Sequence, residues 1–535
     1  MTRTVGVGIG VLVHLEAFWR FPVEYLTATK WRLLRKRVRA RAQFAVLIGR
    51  TSRAYDWWSI KNSRDFSKRS EPGPPPIMAL VIGRSDDPSF AATLASLTAE
   101  GIDVCVVGSS PVQALLELAR NTEEGQRLWV MPVYCGDQIA CGAAAAYRAA
   151  IQKGSDLVVY ADDDLVGRHG FRSKPHFKPD WNGELFLHHD FVTGACILAV
   201  DRKMLEVAAG EQDWPLCLAR QALSESDGAT HIREVLHHRR DRPPPRLTLP
   251  ALSFAADSPR VSLIIPTRNR LDLLAKCIAG VMAAHYPDFE AIVVDNESDD
   301  PATLDFLASL PRQSQPGRTY RVLHHPGPFN YSAINNRAVA EATGELICLL
   351  NNDIEMIDAE WLRIMASQAL RDEVGAVGAQ LLYPDGRLQH AGVVIGVGNA
   401  AGHAHRFLRP EEEGYHYRHA LPQFVSAVTA ACLVVKRDRF LVVGGLDETH
   451  FPVAFNDVDL CLRLNERGWQ SLYEPRAVLI HHESVSRGLD TDPVGAARFA
   501  KELAALQNRW RTDQIVDPFH HPQLSRASEQ FVLAL

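Results

Sequence analysis

The residues best suited to chemistry lie where apolar runs end. Leu346-Ile-Cys-Leu-Leu350 has the length and bounded character of a buried strand, and it stops on Asn351, Asn352 and Asp353. A carboxylate among oxygen donors suits a hard divalent cation carrying a diphosphate. Two earlier runs end in a similar way: Val261-Ser-Leu-Ile-Ile265 enters Pro266-Thr-Arg-Asn269, and Ala291-Ile-Val-Val294 enters Asp295. A carboxylate at Asp295 could accept hydrogen bonds from a base or ribose; the plainer reading of Asp295, as of Asp353, is a helix cap. Farther on, Asp457 and Asp459 open the stretch Asn456-Asp-Val-Asp-Leu-Cys-Leu-Arg-Leu-Asn-Glu-Arg-Gly468. Capping a helix dipole accounts for one of them and leaves the other as a general base. His481 and His482 follow a strand and could complete a cation's shell.

These groups meet only if a sheet brings its strand ends together. The runs at 261–265, 291–294 and 346–350 alternate with helical patterns over Leu271 to about Ala284 and over 331–343. That order predicts β-α-β-α-β with parallel strands and right-handed crossovers, and ligands bind at the carboxyl edge of such sheets. The first strand is not followed by G-x-G-x-x-G, which argues against a dinucleotide site. The stretch 456–468 reads as a helix with Cys461 and Leu464 turned inward and Gly468 as its stop.

With 46% hydrophobic and 23% charged residues over 535 positions, the chain has core enough for two or more globular α/β domains. A net charge of −5 gives no general nucleic-acid signal. Nine scattered cysteines without a C-x-x-C pair point to a reducing, cytoplasmic setting rather than to a zinc or disulfide framework. The longest apolar candidate for a span, Val5 to Val13, is too short and too rich in glycine. Seven positive charges between Lys30 and Arg41 sit among apolar residues, which suits an amphipathic helix on the anionic inner face of a membrane, or a solvated docking arm. The proline-rich segments Glu71-Pro-Gly-Pro-Pro-Pro76 and Arg239-Arg-Asp-Arg-Pro-Pro-Pro-Arg246 mark boundaries. They divide the chain into an extension over 1–70, a unit over 77–245, a second unit over 258–490 and a helical tail over 491–535.

The two units repeat each other. Met78-Ala-Leu-Val-Ile82 answers 261–265, and Leu157-Val-Val-Tyr-Ala-Asp-Asp-Asp164 answers 346–353. Farther along, Gln212-Asp213 answers Asn456-Asp457, and His237-His238 answers His481-His482. Asp162, Asp164 and Asp213 thus form a second candidate site. The first unit lacks the Pro-Thr-Arg-Asn turn and any counterpart of Asp295, so it reads either as a degenerate scaffold or as a second active unit.

Residues 261 to about 488 resemble family 2 glycosyltransferases of the GT-A fold, in particular bacterial polysaccharide and rhamnosyl-type members. The resemblance rests on the stretches 264–269, 293–298, 329–336 (Phe-Asn-Tyr-Ser-Ala-Ile-Asn-Asn), 349–353, 385–392 (Asp-Gly-Arg-Leu-Gln-His-Ala-Gly), 456–464 and 481–484. It implies an α/β chain of two tandem GT-A-like, Rossmann-like domains, the first degenerate. It further implies that Pro266, Thr267, Asn269, Asp295, Asn335, Asn351 and Asn352 hold a nucleotide-sugar donor, and that Asp353 and His482, or His481 in its place, hold Mg²⁺ or Mn²⁺ on its diphosphate. Asp457 would deprotonate a hydroxyl of a glycan or lipid-linked acceptor, and transfer would invert the anomeric carbon. The pattern departs from a D-x-D pair, because Asn351-Asn-Asp353 carries one carboxylate. The His- and Tyr-rich stretch over 389–417 suits an acceptor surface. Against the enzyme stand a non-catalytic nucleotide-sugar or glycan-binding scaffold and a nucleotidyltransferase, although the latter calls for glycines in its first loop.

Overall fold

The computed structural model describes residues 2–62, 74–108, 110–167, 170–252, 254, 258–482 and 493–535. Glu483 and Ser484, with part of the first proline-rich spacer, lie outside the described residues. The chain divides into two units: 1–246 with 520–525 and 532–535, and 247–519 with 526–531. The tail is therefore not one piece. Helix Pro493–Trp510 buries Leu506 in the second unit's core, whereas residues 520–525 belong to the first unit.

In the second unit, the strands Arg318–His324, Phe289–Asp295, Val261–Thr267 and Leu346–Leu350 run parallel, in that order across the sheet. Cys432–Lys436 follows antiparallel, then Val374–Leu382, Gln470–His481 and Ile354–Met356. The sheet is thus mixed rather than wholly parallel, because Cys432–Lys436 returns between Leu346–Leu350 and Val374–Leu382. All five residues of Leu346–Leu350 are buried between strand neighbours on both sides, which is why the run is apolar at every position.

The two faces of this sheet are covered by different helices. Leu263, Ile265, Cys348 and Leu350 pack with helix Leu271–Met282, and Ile264, Ile347 and Leu349 pack with helix Tyr331–Glu341. The alternation follows the period of two along each strand. Strand Arg318–His324 has no apolar run to announce it, because it lies at the sheet's edge and buries only Tyr320 among its seven residues.

The first unit repeats this topology. Its sheet runs Asp103–Gly108, Ile77–Ile82, Leu128–Tyr134, Cys196–Val200, Val158–Val166, Thr230–Arg239 and Gln138–Ile139. Cys196–Val200 is antiparallel to both neighbours, as Cys432–Lys436 is. The topology corrects the repeat read from the sequence. Leu128–Tyr134, not Val158–Val166, occupies the place of Leu346–Leu350, and Val158–Val166 occupies the place of Val374–Leu382. Asp137, three residues beyond Tyr134, therefore corresponds to Asp353, and the run Asp162 to Asp164 does not.

Four helices, Thr2–Arg20, Pro22–Leu33, Arg37–Gly49 and Ala54–Lys61, precede this sheet. Ala17, Ala28 and Leu47 meet at their centre, with Phe21, Tyr25 and Phe44 around them. The expected single helix over Lys30 to Arg41 is two helices, since the chain reverses through Leu34 to Lys36 with Arg35 at a φ of 58°. Among the described residues, no helix is long and apolar enough to cross a membrane.

Candidate active site

Strand register brings the predicted donor-binding residues of the second unit to one edge. Thr267 lies opposite Asp295, and Asp295 lies opposite His324. The Asn352 amide donates to Thr267 Oγ1 at 3.0 Å, which links the central strand's end to that of the first strand. The Asn296 N–H donates to the Thr267 carbonyl at 2.9 Å, and the Ser298 N–H donates to Asp295 Oδ1 at 3.1 Å. Asp295 thus caps its turn with one oxygen, while the other lies 3.6 Å from His324 Nδ1. Asn269, just past Pro266 and Thr267, adopts a left-handed φ of 53° and braces the second turn: its Oδ1 accepts the Asp299 and Asp300 N–H groups, each at 3.0 Å.

Asp353 is 4% exposed, and its Oδ1 lies 3.2 Å from His481 Nε2. His481 Nδ1 lies 2.7 Å from Gln389 Oε1, an acceptor, so Nδ1 carries a proton. The Nε2 that faces Asp353 then needs a proton or a cation between it and the carboxylate. Asn351 Nδ2 stands 3.5 Å from the same nitrogen. Of the two candidate histidines, the one beside Asp353 is therefore His481 and not His482. Alternation along the strand turns His482 the other way: its N–H donates to the Asp353 carbonyl at 3.0 Å, and its Nε2 lies 3.0 Å from Glu355 Oε2. Gln389 was in view as part of a motif, but only strand pairing reveals that it orients His481.

The two acids of helix Asn456–Glu466 differ sharply. Asp459 is fully buried, and its carboxylate accepts from Arg463 Nε at 2.8 Å, Arg509 at 2.7 Å and Trp510 Nε1 at 2.9 Å. Asp457 is partly exposed, accepts the Ala430 and Val458 N–H groups at 3.0 and 2.8 Å, and forms no ion pair among the described residues. Burial pushes its carboxyl above the ordinary value, against the lowering effect of these bonds and of Thr429. Ala430 also connects Asp457 to the central strand. The Asn351 N–H donates to the next residue's carbonyl, Ala431, at 2.9 Å, and Leu350 pairs with Cys432. Asp353 and Asp457 therefore flank one short segment at one sheet edge.

One expectation is not met in this unit. Asn335 is fully buried and donates to the Tyr331 carbonyl one turn back at 2.7 Å, so it has no face open to a donor. In the stretch 389–417, His390 and His405 are buried, and His405 stacks on Phe531 at 4.3 Å. These two rings build core, whereas His403, Tyr415, His416 and Tyr417 are half-buried.

The acidic run of the first unit is held by internal partners. Asp162 Oδ1 and Oδ2 lie 3.0 Å from His231 Nε2 and His521 Nε2, and Oδ1 accepts the Lys178 N–H at 2.8 Å. These three side chains have the composition of a metal site. The Gln523 N–H, however, donates to His521 Nδ1 at 3.1 Å, which leaves the His521 proton on Nε2, towards Asp162. Burial opposes ionisation of Asp162, but the two imidazoles prevail and hold its carboxyl well below the usual range. Asp163 pairs with Lys178 Nζ at 3.0 Å and with Arg242 Nε at 2.9 Å. Asp164 accepts from Tyr55 at 2.6 Å and lies 2.7 Å from His238 Nδ1. Asp213 is an exposed cap that accepts the Leu216 N–H. Asp162 and Asp164 are occupied by partners of their own, and Asp213 caps a helix.

At the position that does correspond to Asp353, Asp137 Oδ1 accepts the Arg240 N–H at 2.7 Å, and Arg239 Nε lies 4.0 Å from Oδ2. His238 pairs with Gln138 as His481 pairs with Ile354, so Arg239 stands where His482 does. Burial raises the Asp137 carboxyl to about 6.

The family model described as glycosyl transferase family 2 matches residues 262–432. The O-antigen biosynthesis protein RfbC of Myxococcus xanthus is 35% identical over 414 residues, 69% of this chain and 31% of that protein. The uncharacterized protein y4gI of Sinorhizobium fredii is 38% identical over 421 residues, 70% of this chain and 46% of that protein. The chain thus spans less than half the length of these two relatives. Among solved structures, a mannosyltransferase from Pyrobaculum calidifontis in complex with GDP-Man and Mn²⁺ aligns with a TM-score of 0.36 and 19% identity, over 52% of this chain and 71% of that one.

Proposed function

We propose, from the premise that the chain belongs through residues 262–432 to glycosyl transferase family 2, that its second unit moves a sugar from a nucleotide-diphosphate donor to a hydroxyl of a growing cell-surface polysaccharide or lipid-linked glycan. The observation that carries this reading is the convergence of Asp295, of Asp353 with His481, and of Asp457 at one sheet edge. Thr267 and Asp295 hold the nucleoside, with Asn352 bracing Thr267. Asp353 and His481 would hold a divalent cation, since a carboxylate oxygen and the Nε2 of an imidazole already oppose each other there. This mixed oxygen and nitrogen pair suits Mn²⁺ or Mg²⁺, and the nitrogen favours Mn²⁺. Such an ion supplies positive charge to a departing diphosphate.

Asp457 takes the proton of the acceptor hydroxyl. Its raised carboxyl makes it a stronger base than an exposed aspartate, and its two backbone hydrogen bonds aim it. Attack on the face opposite the leaving group inverts the anomeric carbon. A nucleotide-sugar substrate places the reaction in the cytoplasm, and the name of the Myxococcus relative supports an envelope polysaccharide as product. The first unit is a degenerate copy in this reading, because the acid at its cation position is engaged by Arg239 and Arg240.

A donor screen tests the proposal. UDP-, GDP- and dTDP-sugars are offered with Mn²⁺ or Mg²⁺, and thermal shift and slow hydrolysis are read for wild type, Asp353→Ala and Asp457→Asn. One donor should stabilise wild type and be hydrolysed; Asp353→Ala should lose metal-dependent binding, and Asp457→Asn should lose turnover alone. Donor binding that survives Asp353→Ala unchanged would remove the diphosphate site from this sheet edge.

A further inference from the structure

We infer that the N-terminal helices dock the chain on an anionic lipid surface. Helix Thr2–Arg20 turns Gly10, Val13 and Ala17 inward, where Gly10 lies against the Trp57 ring and Ala17 joins the small core with Ala28 and Leu47. Its other side is also apolar. Val7, Val11, Leu15 and Trp19 recur at a spacing of four and so share one face, and all are exposed, between 49 and 78%. Val23 and Leu26 extend the apolar surface into helix Pro22–Leu33 at 70 and 58% exposure. A lone exposed Leu needs no explanation, but a contiguous run of this kind marks a surface that is covered in use.

The charge beside it indicates what covers it. Lys30, Arg32, Arg35, Lys36 and Arg37 are all exposed and gather at the turn between the second and third helices, with Leu33 and Leu34 exposed at 79 and 56% among them. Over residues 20–41 the only acid is Glu24, while the whole chain carries a net charge of −5. The cationic cluster is therefore local, set around exposed Leu33 and Leu34, and complementary to a surface of anionic headgroups over hydrocarbon. The chain lies on such a surface without crossing it, consistent with the lack of any long apolar helix among the described residues. The docking depends on no step of the transfer reaction. It would keep the chain at the surface that carries a lipid-linked acceptor, and that consequence alone rests on the proposed function.

Vesicle co-sedimentation of the full chain tests the inference. Wild type should pellet with vesicles of phosphatidylglycerol and phosphatidylcholine in equal parts and remain in solution with phosphatidylcholine alone. The triple change Arg35→Glu, Lys36→Glu, Arg37→Glu should abolish binding, and Leu15→Ser with Trp19→Ser should weaken it at least tenfold even at low salt. These side chains are exposed, so the fold should persist, which circular dichroism verifies. Failure of wild type to pellet with anionic vesicles, or equal binding to neutral ones, overturns the inference. So does a wild-type dimer in solution that Leu15→Ser with Trp19→Ser converts to monomer, because the face would then be an interface between copies. A loss of vesicle binding with unchanged donor hydrolysis separates this result from failure of the transferase reading.

Discussion

The two acids of one helix turn, Asp457 and Asp459, provide the sharpest test, because the same substitution should affect different quantities. Asp457→Asn keeps the side chain's shape and one acceptor. It places an amide NH₂ against either the Ala430 or the Val458 N–H, at a cost of about 1 kcal/mol for one lost hydrogen bond. Removing a carboxyl that burial already disfavours offsets part of that cost. Stability should therefore barely change. Turnover should fall about 100- to 10,000-fold, the usual contribution of a general base, equivalent to about 3 to 5 kcal/mol of barrier. The pH profile carries a second mark. The base works ionised and its carboxyl is raised, so wild-type kcat should climb with pH through a limb above the ordinary aspartate range, and Asp457→Asn should lose that limb.

Asp459→Asn should do the reverse. It leaves Arg463 and Arg509 facing a neutral amide in a fully buried position, and breaking such a pair costs about 3 kcal/mol, somewhat less here because water reaches both guanidiniums. Chemical denaturation with steady-state kinetics on the folded fraction reads both quantities. If Asp457→Asn retains a tenth or more of wild-type kcat with its acid limb intact, or if Asp459→Asn abolishes turnover without loss of stability, the assignment of the base is wrong.

Three further outcomes follow from the same geometry. Gln389→Ala frees the His481 ring it orients and should weaken Mn²⁺ dependence about 10- to 100-fold in a metal titration of donor hydrolysis, with the fold unchanged. Gly344→Ala would place a Cβ 2.6 Å from the Ser262 backbone nitrogen and 2.8 Å from the Arg260 carbonyl, so denaturation should show a loss of about 1 to 3 kcal/mol from overpacking at the root of the central strand. Asp137 binds its proton more tightly folded than unfolded, so stability is greater at low pH and falls as pH rises through the folded value of about 6; Asp137→Asn should recover up to about 3 kcal/mol at pH 8 and nothing near pH 4. Destabilisation by Asp137→Asn at pH 8 would mean that attraction to Arg239 outweighs burial.

The central strand and its neighbours were legible because residues buried on both faces must be apolar at every position, and because Asp295 and Asp353 fall where such runs stop. What pattern could not show was adjacency across the sheet. His481 and His482 are consecutive, and only the pairing of Ile354 with His481 decides which ring meets Asp353. The antiparallel return of Cys432–Lys436 was equally hidden, since its apolar run looks the same in either direction. The cationic segment misled differently: composition allowed one helix from Lys30 to Arg41, but packing Ala28 and Leu47 into one small core requires the chain to reverse at Arg35.

The repeat was read correctly in order and wrongly in register, and the error shows how the copies diverged. Tyr160-Ala-Asp-Asp-Asp164 resembles a strand ending in metal ligands, yet it lies in the place of Val374–Leu382, where Lys178, Arg242, Tyr55 and three histidines answer its charges. Each acid of the run is thus paired within its own unit. The true counterpart of Asp353 was inconspicuous, because Cys135-Gly-Asp137 carries a single acid and its significance appears only when Gln138 is seen to pair with His238 as Ile354 pairs with His481. In the second unit that position faces the His481 imidazole; in the first it faces arginine. The two units thus differ at the same strand end: an imidazole, His481, stands beside Asp353, and a guanidinium, Arg239, beside Asp137.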